Sequence, residues 1–176
     1  MRTSTIFKVI LLIAGCSVAT NSPAQTTPTP TSSVTVNGKV EAPKTFTIAD
    51  IKKLPSHNIG DVVITNHRGE AKGTAKELSG VLLTAVLEQV ELDAESPKVL
   101  SEYYFSCIAS DGYRVVFSWN ELFNTAVGNS VYIVTSKDGK PTDDSDESIL
   151  LISTQDTRTG RRFVKNLETI FVGRVR

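Results

Sequence analysis

The chain has only two cysteines, Cys16 and Cys107, among its 176 residues. Cys16 falls in an N-terminal apolar stretch with the character of an export signal, so the folded domain is left with Cys107 alone and no disulfide framework can form. Histidine is equally scarce. His57 and His67 are the only two, and they lack the His-x-x-x-His spacing that places two imidazoles on one helix face for a metal. Neither a Gly-x-Ser-x-Gly nucleophile turn nor a Gly-x-x-x-x-Gly-Lys phosphate loop occurs, and the carboxylates are scattered, so a hydrolase has no residues to stand on. Charge of neither sign dominates, with 19 Lys and Arg against 19 Asp and Glu. That balance gives no reason to expect nucleic acid as a partner, and no acidic block reads as a disordered tail. No apolar run approaches the roughly 20 residues of a membrane-spanning helix. There is no internal repeat, and the length predicts one domain.

What is present starts with the signal. Arg2 and Lys8 precede the apolar residues 9–14, a pattern expected to direct export to the periplasm or beyond. Two cleavage positions compete. Ser22 and Ala24 suit an ordinary signal peptidase, giving residues 1–24 as signal and a mature start at Gln25. Alternatively Ile13, Ala14, Gly15 and Cys16 resemble a bacterial lipobox, with residues 1–15 removed and Cys16 lipidated; that anchor would be the chain's one contact with a membrane. Residues 25–33, rich in Thr and Pro, then read as an extended linker or tether. Residues 34–176 are the domain. Removing Arg2 and Lys8 leaves 17 basic against 19 acidic residues, a net charge of minus two.

Hydrophobic periodicity predicts a mixed α+β sheet domain with few helices. Strands are expected at 33–40, interrupted at Asn37 and Gly38, and at 44–47, 61–65, 103–109, 114–118, 131–136, 149–153 and 169–175. Thr47 can cap a short helix carrying Ile48, Ile51 and Leu54, because Asp50 lies three residues on, and Pro55 stops it. Residues 70–73 read as a loop. The clearest helical stripe begins at Ser79 and runs through Val81, Leu82, Ala85, Val86, Gln89 and Val90. A second short helix is expected at 120–125. Asp138 and Gly139 mark one hairpin turn, and Asp111 and Gly112 mark another between two apolar, β-branched and aromatic runs.

The neighbourhood of that second turn is distinctive. The string Ala109, Ser110, Asp111, Gly112, Tyr113, Arg114, Val115, Val116, Phe117, Ser118, Trp119, Asn120, Glu121, Leu122 resembles the molybdopterin-binding oxidoreductase domain of the sulfite oxidase superfamily. Three other blocks stand in the family's order. They are Val36 to Pro55, with Asn37, Gly38, Phe46, Thr47, Asp50 and Leu54; Leu78 to Leu87, with Ser79, Gly80, Val81, Leu82 and Leu83; and a segment matching Gly-Arg-x-x-Val-Lys-x-Leu at Gly160, Arg161, Arg162, Val164, Lys165 and Leu167. The resemblance covers roughly residues 34–175 and implies the family's sulfite-oxidase-like fold, with molybdopterin as the implied cofactor. It departs at one decisive place. Catalytic members hold molybdenum by a cysteine thiolate in the loop after the strand corresponding to 61–65, and here that loop reads Asn66, His67, Arg68, Gly69. Neither an amide nor an imidazole replaces a soft thiolate in such a site. The resemblance therefore implies the fold more strongly than the reaction, and no bound cofactor is expected.

Several residues are candidates for binding. Arg158, Arg161, Arg162 and Lys165 set four cations within eight residues beside Gly160. The resemblance implies that this segment meets the pterin phosphate, and guanidinium forks with backbone N–H groups suit phosphate, although exposed charges between Phe163, Val164 and Leu167 equally describe a solvated connection. Asn66, His67 and Arg68 would line the mouth where relatives hold the metal, or form a plain turn. Tyr113 stands either at that mouth or packed on the sheet. Cys107 alternates with Tyr103, Phe105 and Ala109 and is expected to be a buried apolar residue rather than a reactive thiol. Asp143, Asp144, Asp146 and Glu147 lack the glycine and alternation of a calcium loop and read as a solvated acidic loop. The leading expectation is a non-catalytic exported domain that binds a small anionic or pterin-like ligand, or an envelope protein. The alternatives are a molybdopterin-dependent oxidoreductase without a protein thiolate, with Asn66 or His67 near the metal, and a ligand-free structural module of an envelope complex.

Overall fold

A computed structural model describes residues 29–143 and 145–175. The expected signal, Cys16 and residues 25–28 of the expected linker lie outside them. Within the described linker, Thr29 lies against the domain, exchanging hydrogen bonds with Ser110 in which its N–H donates to Ser110 Oγ at 3.1 Å and its carbonyl accepts from that hydroxyl at 2.7 Å.

Among the described residues ten strands form two sheets. The first has the order β2-β1-β10-β5-β6, with β1 (Ser33–Gly38), β2 (Lys44–Thr47), β5 (Tyr103–Ala109), β6 (Arg114–Ser118) and β10 (Leu167–Arg174). Only the β1–β10 pair is parallel in it. The second runs β3-β4-β7-β8, with β9 also on β7; these are β3 (Ser56–Thr65), β4 (Ala71–Leu82), β7 (Val131–Lys137), β8 (Lys140–Pro141) and β9 (Leu150–Ser153). Val34, Val36, Phe105, Cys107, Ile170 and Val172 of the first sheet pack with Val81, Ile133 and Leu151 of the second to make the main core. Val134, Leu150 and Ile152 join Val62, Ala75 and Leu78 in a smaller cluster. Strand β9 serves both clusters, and that is why Leu150, Leu151 and Ile152 form an unbroken apolar run rather than an alternating one.

The short helices are fixed by their caps. Thr47 Oγ1 accepts from Asp50 N at 3.2 Å while Asp50 Oδ2 accepts from Thr47 N at 3.1 Å, a reciprocal box that starts α1 (Ile48–Ile51) as the spacing predicts. Hydrogen bonds from Lys53 and then Thr47 hold the Asp50 carboxyl far below the usual carboxylate range. Ser118 and Glu121 form the same box at α3 (Trp119–Phe123).

The helix expected from Ser79 is the main correction. Residues 79–82 belong to β4 and pair with Ser136, Val134, Ile133 and Tyr132 of β7, leaving a helix α2 of Leu83–Leu87 only. Gly80 gives the physical reason. A Cβ there would stand 2.4 Å from the Ile133 carbonyl oxygen, so glycine lets β4 approach β7 closely, whereas in a helix it would only cost stability. The apolar residues that read as a helical stripe are instead divided between the end of a strand and one helical turn. Residues 71–73, expected in a loop, already belong to β4, and β3 begins at Ser56, ahead of the expected 61.

Candidate functional site

Two of the sequence blocks, the Gly160 segment and the Asp111 turn, meet near the end of β3. The turn at 159–162 is pressed against that end by Thr159, whose hydroxyl donates to the Val63 carbonyl at 2.6 Å and accepts from Thr65 N at 3.1 Å. Gly160 follows at a point where a Cβ would stand 1.9 Å from the Thr65 carbonyl oxygen, so this contact admits no side chain. From the other side comes the β5–β6 turn. Asp111 Oδ1 accepts from Tyr113 N at 2.9 Å, Gly112 takes a φ of +83°, and the Tyr113 hydroxyl donates to the Arg161 carbonyl at 2.7 Å. Turn chemistry explains Asp111 and Gly112. The bond to Arg161 gives Tyr113 the role that turn chemistry leaves open.

Arg161 and Arg162 part company here. Arg162 donates through Nε and Nη2 to both oxygens of Asp156, at 2.8 and 2.6 Å, and through Nη1 to Glu121 at 3.1 Å, while its guanidinium lies 4.4 Å from the centre of the Phe117 ring. Hydrogen bonding to Asp156 raises its already high pKa against the opposing effect of burial. Burial would raise the Asp156 carboxyl, but hydrogen bonds from Arg162 and Ser153 outweigh it and hold the group below its ordinary value. Arg162 is a strut between α3, β6 and the β9–β10 connection. Arg161 is exposed, and among the described residues neither it nor Arg158, Arg68 or Arg114 forms an ion pair.

Lys165 lines a separate groove to which neither Tyr113 nor Arg161 contributes. It bonds Glu147, which also accepts from Lys137 at 2.8 Å. Burial pushes the Glu147 carboxyl up, yet the two ammoniums hold it below its usual value. The acidic loop is thus partly paired, with Asp143 on Lys52 at 2.6 Å as well.

The loop where a metal thiolate would be required is a closed turn. Asn66 Oδ1 accepts from Arg68 N at 2.8 Å and Glu70 N at 3.1 Å, its Nδ2 donates to Glu70 at 2.6 Å, and Gly69 has a φ of +91°. The Asn66 side chain is consumed by its own turn. The side chains of His67 and Arg68 are exposed and make no hydrogen bond or ion pair among the described residues. Cys107 sits in β5 opposite Val115 and Ile170, fully buried, where desolvation pushes its thiol up to about 12. Its sulfur therefore belongs to the core and not to the loop. Among the described residues no group of three or more His, Cys, Asp and Glu could hold a metal ion. The donor set does not fit a thiolate-bound molybdenum.

Sequence reading missed Thr159 and Asp156, quoted Glu121 only as part of the Asp111 string, and placed Glu147 in a solvated acidic loop rather than on Lys137 and Lys165. Glu121 had a signal in the Ser118-x-x-Glu121 spacing. The other three are placed by tertiary contacts that leave no local pattern.

No protein-family model and no curated protein sequence matches the chain. Among solved structures, the sulfane dehydrogenase SoxCD from Paracoccus pantotrophus is similar, with a TM-score of 0.56 at 14% identity, over 80% of this chain and 37% of that one. The chain thus spans little more than a third of the dehydrogenase chain. Such a likeness shows the fold alone, and it supports a distant link to the molybdopterin-binding fold.

Proposed function

We propose that the chain is an exported domain of molybdopterin-binding-like fold that binds a small anionic or pterin-like ligand without turning it over. The observation that carries this reading is the junction of Tyr113, Gly160 and Thr65. It holds Arg161 on an ordered turn with its guanidinium unpaired, beside a loop whose Asn66 is already committed. Arg161 and Arg158 supply forked donors to an anion, with Arg68 and His67 on the neighbouring turn, while Arg162 positions the turn by fixing its base. Export to the periplasm, with or without a lipid on Cys16, belongs to the same reading.

The test is titration of a pterin monophosphate into the full chain and its Arg161→Ala variant. Loss of one charge-assisted fork should weaken binding about tenfold or more. Equal affinity in both proteins would remove the site. For the anchor, Cys16→Ala should release the protein from membranes, and unchanged fractionation would refute lipidation.

A second reading, an interaction module for an envelope partner, is favoured by the outer face of the first sheet. There Phe171 and Val116 flank Ser106 in one cross-strand row, with 40% and 52% of their surfaces exposed.

A further inference from the structure

The groove around Lys165 is built from parts that the Tyr113 and Arg161 site does not use. It is a shallow, open groove of about 210 Å³, walled by Ile64 of β3, Lys72 of β4, Lys137 of β7 and the side chains of Glu147, Phe163 and Lys165. Lys137 and Glu147 also line an adjoining recess of about 530 Å³. Three lysines and one glutamate line it, two of the ammoniums paired with the Glu147 carboxylate, and Lys72 has no ion pair among the described residues. Phe163 and Ile64 supply an apolar wall, half-buried against the smaller core cluster, and the Lys165 ammonium lies 5.8 Å from the centre of the Phe163 ring. Strands carry half of these side chains, which keeps the walls fixed.

The groove already holds one carboxylate on a methylene stem. Glu147 gives one oxygen to Lys137 and the other to Lys165, so a protein side chain occupies the position where a free anion would bridge the two ammoniums. We propose that this groove is a second binding site, for a small aliphatic carboxylate, and that Glu147 is its internal competitor. The ligand's two oxygens replace those of Glu147 on Lys137 and Lys165, Lys72 adds the third cation, and its chain lies along Ile64 and Phe163. Glu147 swings into the adjoining recess when displaced.

The experiment is a calorimetric or NMR titration of hexanoate and acetate into the full chain and three variants. Glu147→Gln removes the competing charge and should tighten hexanoate about tenfold, since a neutral amide no longer holds the two lysines. Lys165→Ala, a half-exposed position whose loss leaves Glu147 paired with Lys137, should weaken hexanoate about tenfold. Acetate should bind about tenfold more weakly than hexanoate, because it lacks the methylenes that meet the apolar wall. Arg161→Ala should bind hexanoate as the parent chain does, even if the pterin monophosphate test fails. No hexanoate binding by the parent chain or by folded Glu147→Gln overturns the site. So does affinity that depends on Arg161 and is indifferent to Lys165.

Discussion

Arg161 and Arg162 are neighbours of identical chemistry, and the fold gives them opposite duties. Arg162 is drawn inward, with 21% of its side chain exposed, onto Asp156, Glu121 and the face of Phe117. Arg161 is turned outward, and among the described residues its hydrogen bonds are made by its backbone, whose N–H donates to the Arg158 carbonyl at 2.9 Å and whose carbonyl accepts from the Tyr113 hydroxyl. Both follow Gly160, whose contact with β3 fixes the direction in which each one leaves the turn. A pair of adjacent arginines is therefore not a doubled binding signal. One of them orders the loop, and the other keeps its guanidinium free for the anion we propose it binds.

The sharpest way to break this contrast is truncation of each arginine. Arg162→Ala leaves the Asp156 carboxylate, 14% exposed, without its cation, and should cost about 3 kcal/mol in a denaturant-unfolding measurement. Arg161→Ala should stay within about 0.5 kcal/mol of the parent. Similar losses in the two variants would end the distinction. The turn that carries both is tested next by glycine replacement. Gly160→Ala forces a methyl against the Thr65 carbonyl and should cost about 2 kcal/mol, whereas Gly112→Ala, which meets open space at a φ of +83°, should cost about 1 kcal/mol.

Acid offers a third comparison. The folded Asp156 carboxyl titrates below its ordinary value of 3.8, so its pairing with Arg162 contributes fully above that value and is lost as pH falls through the lower folded value. The stability gap between the parent and Arg162→Ala should accordingly narrow below about pH 4, while the gap to Arg161→Ala stays flat. A gap for Arg162→Ala that does not change with acid would assign its cost to lost packing on Phe117 instead. The smallest effect is expected from Tyr113→Phe. It removes one exposed hydrogen bond, worth about 0.5 kcal/mol, and should loosen the Arg161 backbone enough to raise its amide exchange rate.

Much of the frame is legible in the chain itself, because it is encoded locally. The Asp111–Gly112 turn brackets β5 and β6 at their observed limits, and Thr47 with Asp50 starts α1 where the spacing places it. Local pattern fails where a residue answers to a distant strand. Gly80 is set by Ile133, so a helical stripe conceals the end of β4. The same limit governs the site. Tyr113, Arg161 and the turn at Asn66 can be picked out by residue type and by resemblance, but nothing in the order Gly-Arg-Arg says which arginine Asp156 will take. Lys165 likewise reads as part of one cationic segment until Glu147 and Lys137 draw it into another groove.

Metal and pterin analysis of the protein purified from its native cells is the most direct test of a molybdopterin-binding-like fold without a thiolate to hold a metal. A chain whose Asn66 is spent on its own turn and whose Cys107 is buried should carry no molybdenum above background. Molybdenum approaching one atom per chain, with a pterin chromophore beside it, would contradict that reading and make the protein an oxidoreductase.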